Sequence, residues 1–119
     1  MRIKLKTMDK TFLMRRIFTL EGGTDVLATI FQPKLYPKSD FDDYMCEYEI
    51  VGLSRKIQSA GHGVDAVQAV LHAMVGLGTR LYCSDEYKSG KLTWFDSYDL
   101  MLPFPFGARD IDEVFFKKN

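Results

Sequence analysis

The stretch "GHGVDAVQAVLHAMVGLGTRLYC", residues 61–83, decides how this chain folds. Its opening glycines fall in a G-x-G-x-x-A spacing, which suits a phosphate-binding loop, a metal site around His62, His72 and Cys83, or the plain start of a helix. Local signals favour the helix. Asp65 is a good N-cap, Gln68 three positions on completes an Asp form of the capping box, and Val64 ahead of the cap can staple onto Ala69. These predict a helix over Asp65–Leu81. Val67, Val70, Leu71, Met74 and Leu81 recur at helical spacing and define the expected buried stripe, widened by Val75 and Leu77. Ala66, Ala69, Ala73 and Gly76 flank it, small enough to let the helix lie close against a sheet, while Gln68, His72 and Thr79 are expected to face water.

The competing chemistries fail on context. A dinucleotide fingerprint needs a strand feeding its glycine turn, alternating helices and parallel strands, and an acid at a strand end. Asp85 has a tolerable spacing but sits in the polar stretch "SDEYKSG", and the strands before the helix read as hairpins. Gly61 and Gly63 are therefore read as turn residues that aim the chain into its cap. His62 and His72 lie ten residues apart, not at the i, i+4 spacing of paired helical ligands, so no metal is expected.

Outward from the helix the chain reads as strands. "MRRIFTL" (14–20) and "DVLATIF" (25–31) alternate on either side of "EGGT", predicting a β-hairpin whose turn draws positive φ angles from Gly22 and Gly23. "QPKLYPKSDFDD" (32–43) reads as a long exposed loop. In "YMCEYEIV" (44–51) the glutamates mark the wetter face, which turns Cys46 towards the core. "SRKIQSA" predicts a fourth, polar strand near an edge, and "KLTWF" a fifth. "DLMLPFPFG", broken by Pro103 and Pro105, predicts an extended segment packed across the core, and "ARDIDEVFFKKN" a short terminal helix with Ile111, Val114 and Phe115 on one face. The expected fold is α+β: a single domain over 1–119, with a mainly antiparallel twisted sheet of about five strands and one principal helix on one face, residues 1–10 and 108–119 being peripheral extensions.

Composition narrows the function classes. The 16 basic and 16 acidic residues cancel, so no global charge draws the chain to nucleic acid or an anionic membrane. No apolar run approaches the roughly 20 residues of a membrane span, and the charged start "MRIKLKTMDKTF" lacks the apolar centre of a signal peptide, so a cytoplasmic location is expected. Cys46 and Cys83 are too few for a disulfide framework and are read as small buried apolar residues. Charge is nevertheless uneven. Arg2, Lys4, Lys6, Lys10, Arg15 and Arg16 make a basic N-terminal stretch, whereas Asp40, Asp42, Asp43, Glu47 and Glu49 crowd an acidic middle. Glutamates on the aromatic strand "YMCEYEIV" would repel phosphates, which argues against nucleic acid.

From about Arg15 to Phe106 the order "IFTLEGG", "CEYEIVGL", "GVDAVQAVLHAM", "LTW" and "DLMLPFP" resembles a family of small uncharacterised bacterial domains. The resemblance implies a compact α+β domain of bacterial origin and supplies no catalytic residues. With no catalytic constellation and no cofactor or metal signature, the expected role is non-enzymatic binding of a protein partner. Its concrete form is an immunity protein that covers a toxin domain's active site, with Asp40, Asp42, Asp43, Asp85 and Glu86 meeting a basic surface. The alternative is a small enzyme or ligand-binding domain with a pocket between sheet and helix near Cys46, His62 and Trp94.

Overall fold

The computed structural model of the protein describes residues 11–38 and 40–103, so the expected extensions at 1–10 and 108–119 lie outside the described residues. In chain order the elements are β1 (Phe12–Leu20), β2 (Asp25–Phe31), β3 (Lys34–Leu35), β4 (Tyr44–Val51), β5 (Ile57–Gly63), α1 (Ala66–Tyr82), α2 (Asp85–Lys88) and β6 (Leu92–Thr93). The fold is α+β: among the described residues, an antiparallel sheet of six strands, one principal helix and a short four-residue one. The hairpin of β1 and β2 pairs Ile17 with Leu27 and Phe18 with Val26. Its turn places Gly22 and Gly23 at φ 98° and 93°, a region closed to most side chains.

Strand β4 lies at the centre of the remaining pairings. One edge carries β5 along nearly its whole length, from Tyr44 opposite Gly63 to Ile50 opposite Ile57. The other carries β2 over Tyr48–Val51 and, beyond Pro33, β3 at Tyr44 and Met45. The polar fifth strand is thus an edge strand, as its composition predicts. Residues expected to form a fifth strand in "KLTWF" give only β6, which pairs Leu92 with Leu20 and Thr93 with Thr19.

Alternation divides the sheet into two faces. Phe18, Val26, Ala28, Ile30, Cys46, Tyr48 and Ile50 point to the core, while Arg15, Ile17, Thr29, Glu47, Glu49 and Val51 point away. Glu47 and Glu49 do mark the wetter face, where they pair with Lys34 at 3.5 Å and Lys56 at 3.9 Å. Side chains this exposed gain little from such pairs, roughly 0–1 kcal/mol.

The helix begins as its caps predict. Asp65 Oδ1 accepts from Gln68 N–H at 2.8 Å, and Gln68 Oε1 accepts from Val64 N–H at 2.8 Å, so two free donors of the first turn are satisfied reciprocally. Its buried side keeps part of the expected stripe: Leu77 and Leu81 are buried and Val70 and Met74 pack against the core, but Val67 and Leu71 do not. The buried residues are Ala69, Ala73, Leu77, Gly78, Leu81 and Tyr82, with Gly78 beneath Leu102 and Pro103, whereas Val67 is 67% and Leu71 54% exposed. The reason lies in β5. Gly61 and Gly63 are strand residues rather than turn residues, and a Cβ built on Gly61 would stand 2.2 Å from Ala73 N and 2.7 Å from Ala69 O. A Cβ on Gly63 would stand 2.6 Å from Ala69 N. The helix backbone rests directly on the strand backbone, and only small residues fit at that contact.

Past the helix, "SDEYKSG" is not all loop. Ser84 caps the four-residue α2, its Oγ accepting from Tyr87 N–H at 3.1 Å. Asp99–Pro103 then packs across the core without regular structure, kinked at Met101 by its left-handed φ of 52°. The fully buried Leu100 is held there by its N–H donating to Tyr82 Oη at 2.9 Å and by Arg16 Nη1 donating to its carbonyl at 2.9 Å.

Replacing Gly61 with Ala must push α1 off β5, and we expect a loss at the upper end of the roughly 1–3 kcal/mol typical of overpacking. Gly22→Ala meets no atom within 4 Å and should cost only its left-handed backbone, roughly 1 kcal/mol. The shift of the urea midpoint for each variant checks that ordering.

Candidate functional site

The acidic residues singled out from sequence occupy two separate places. Asp40, Asp42 and Asp43 lie on the loop between β3 and β4. It is closed at its base by Tyr36 N–H donating to the Asp43 carbonyl at 2.8 Å and, within it, by Asp43 N–H donating to the Phe41 carbonyl at 2.7 Å. Asp40 and Asp42 are exposed, Asp43 is half-buried, and between them Phe41 stands 79% exposed. Sequence reasoning named the carboxylates and missed the phenylalanine. An apolar residue among aspartates reads as loop filler until its exposure is known.

Asp85 and Glu86 start α2 at the far end of β4. Glu86 Oε2 accepts from Ser54 N–H at 2.8 Å, which ties α2 to the turn between β4 and β5 and gives this carboxylate a structural task. The two acidic groups are separated by the length of β4, roughly 25 Å for a strand of this size. Beside α2 lies a shallow cleft of about 270 Å³ lined by Arg55, Arg80, Cys83, Asp85 and Glu86, whose charges are mixed.

The residues proposed to line a pocket between sheet and helix do not converge. Cys46 is fully buried on the helix side of β4, opposite Gly61, and its thiol donates to the Phe31 carbonyl at 3.2 Å. Burial, and secondarily the charge of Glu47, pushes this thiol above its ordinary value of 9.0. His62, one residue beyond Gly61, points to the opposite face of the sheet, where it is exposed and stacks edge-on against Tyr36 at 4.9 Å. A sheet therefore separates the thiol from the imidazole. His72 Nδ1–H donates to the His62 carbonyl at 2.6 Å, a contact between helix and edge strand. Trp94 lies near β1, with the Arg16 guanidinium over its ring at 4.2 Å. Cys83, read as buried, is exposed at the end of α1. Among the described residues no three His, Cys, Asp or Glu side chains gather as a metal-binding set, and no helix is long and apolar enough to cross a membrane.

A second exposed feature carries no sequence signal. Trp94 and Ser97 exchange both backbone hydrogen bonds at 2.9 Å, which makes Phe95-Asp96 a two-residue hairpin loop. Both residues have positive φ, 49° and 63°, the pattern of a type I′ turn that favours Asn-Gly. Holding two such residues there costs roughly 1–2 kcal/mol each. Phe95 is 84% exposed, and nearby Met101, at φ 52°, is 61% exposed.

A family model described as "Domain of unknown function (DUF6968)" matches residues 14–106, and the chain belongs to that family. The match covers nearly the same span as the resemblance read from the motifs. No curated protein and no solved structure matches the chain.

The cysteines give a direct check on this geometry. A thiol reagent at neutral pH should modify Cys83 rapidly and Cys46 only on unfolding. Because the folded Cys46 pKa is raised, the unfolded chain loses this proton first as pH rises. The thiol's contribution to stability is intact below pH 9.0 and declines above it. Denaturant midpoints across that range, compared with those of Cys46→Ala, measure the difference.

Proposed function

For this member of the DUF6968 family we propose a non-enzymatic role: it binds another protein through the loop that carries Asp40, Phe41, Asp42 and Asp43. The observation that supports this is the 79% exposed Phe41 ring flanked by two exposed carboxylates. Aromatic anchors surrounded by polar groups are where binding energy concentrates at protein interfaces, and acids on the rim speed encounter with a basic partner. The loop is held by its own backbone hydrogen bonds at Tyr36 and Asp43, so part of the ordering cost of binding is met before contact.

The biological form of this reading is immunity. A small bacterial, cytoplasmic domain inserts Phe41 at the mouth of a toxin's active site and sets Asp40, Asp42 and Asp43 against its cationic surface. A nuclease toxin, whose site must attract phosphates, offers such a surface. Asp85 and Glu86 stand at the far end of β4, where Glu86 already accepts from the Ser54 N–H, so the role is assigned first to the Asp40–Asp43 loop. The alternative of a pocket near Cys46, His62 and Trp94 draws no support from residues that a sheet holds apart.

Calorimetric titration against the toxin domain encoded beside this chain tests the proposal. Tight binding is expected, weakened at least about tenfold by Phe41→Ala and further by joint reversal of Asp40, Asp42 and Asp43 to Lys. Thermal midpoints should stay near wild type, since these side chains are exposed. Absence of binding refutes immunity, and affinity untouched by the reversal refutes this loop as the contact surface.

A further inference from the structure

We infer that this chain forms a two-fold homodimer in which Phe95 of each copy enters an apolar groove on the other. Phe95 and Asp96 fill the two positions of their turn that call for left-handed backbone. A tip required only to reverse the chain would be better served by Asn-Gly. The structure instead holds a bulky aromatic there in strain and leaves it 84% exposed, with its ring edge-on to Trp94 at 5.0 Å. Backbone strain of this kind gathers where side chains meet ligands or partners, so the exposed ring points to a partner surface.

A receptor for that side chain lies on the same region of the surface. Between α1 and β1 runs a groove of about 210 Å³ lined by Met14, Arg16, Met74, Leu77, Met101 and Leu102. Met14 and Met101 remain 39% and 61% exposed at its mouth. Methionine adapts to a ring pressed against it and makes favourable sulfur–aromatic contacts. The exposure of Phe95 shows that it does not fill the groove of its own chain.

Knob and groove share one residue, Arg16. Its guanidinium lies over Trp94, beneath the knob, while its Nη1 donates to the carbonyls of Leu100 and Met101 at 2.9 Å along the groove wall. Because the two features are neighbours, a two-fold axis between them satisfies both at once: each copy gives a knob and receives one, and the assembly closes. The charges match as well. Arg16 has no ion-pair partner among the described residues, and the exposed Asp96 beside Phe95 brings a carboxylate to the Arg16 of the opposite copy. A second copy of this chain is thus the occupant that supplies both the ring and the charge. The interface uses the β1 side of the sheet and leaves the Asp40–Asp43 loop, attached to β3 and β4, outside it.

Sedimentation velocity of the full chain over a range of concentrations tests the dimer. Wild type should shift from monomer to dimer as concentration rises. Phe95→Asn combined with Asp96→Gly, the pair this turn prefers, should raise the dimer dissociation constant at least about tenfold while holding or raising the thermal midpoint. Met14→Glu attacks the groove from the other side and should weaken the dimer similarly. A wild-type chain that stays monomeric up to its solubility limit overturns the inference. So does a dimer that both variants leave intact, since it must form through another face.

Discussion

The contact on which the structure depends is the one between the backbones of β5 and α1. Gly61 presents no side chain, so the strand meets the helix at Ala69 and Ala73 with nothing between them. That approach fixes the height of the helix and its rotation about its own axis. Ala69 and Ala73 must face inward because larger residues would lift the helix away, and Val67 and Leu71 turn outward as a consequence. At this contact steric fit chooses the buried residues, while further along the helix Leu77 and Leu81 are buried as their spacing predicts, and the apolar burial lost at Val67 and Leu71 is offset by denser packing against the strand.

Setting the helix over β4 and β5 has a second consequence. The β1 side of the core face needs another cover, and Asp99–Pro103 provides part of it. Buried Leu100 joins the cluster of Phe18, Val26 and Leu92, and the hydrogen bonds from its N–H to Tyr82 and from Arg16 to its carbonyl satisfy the polar groups that crossing the core would strand. The cover is narrow. Between it and α1 remains the groove bordered by Met14, Met74 and Met101.

What the sequence reveals follows the range of the forces involved. The caps at Asp65 and Gln68, the diglycine turn, and the inward aim of Cys46 all depend on residues a few positions apart, and each is legible. The rotation of α1 depends on Gly61 meeting Ala73 across the fold, which no local periodicity encodes, so the rule that large apolar residues point inward holds at Leu77 and Leu81 and fails at Val67 and Leu71. Strand β3 follows Pro33 and spans two residues, too short for any alternation to show. The acidic loop is visible as charge, but the exposed Phe41 within it is not, because exposure is a property of the folded surface. Glu86 looked equivalent to the other acids until its carboxylate proved to hold Ser54.

The described non-glycine residues with positive φ are Phe95, Asp96 and Met101, and all three lie where the chain passes β1 and Arg16. Strain scattered over a fold reads as tolerated imperfection, whereas strain gathered around one side chain needs a common cause. Arg16 provides the mechanical link, since its cation–π contact steadies the hairpin at Trp94 while its hydrogen bonds fix the carbonyls of Leu100 and Met101. The helix also anchors this edge, since Tyr82 accepts from the Leu100 N–H and Gly78 lies beneath Leu102 and Pro103. Relaxing the hairpin would stabilise the chain, and the aromatic tip is explained by what it meets outside its own chain.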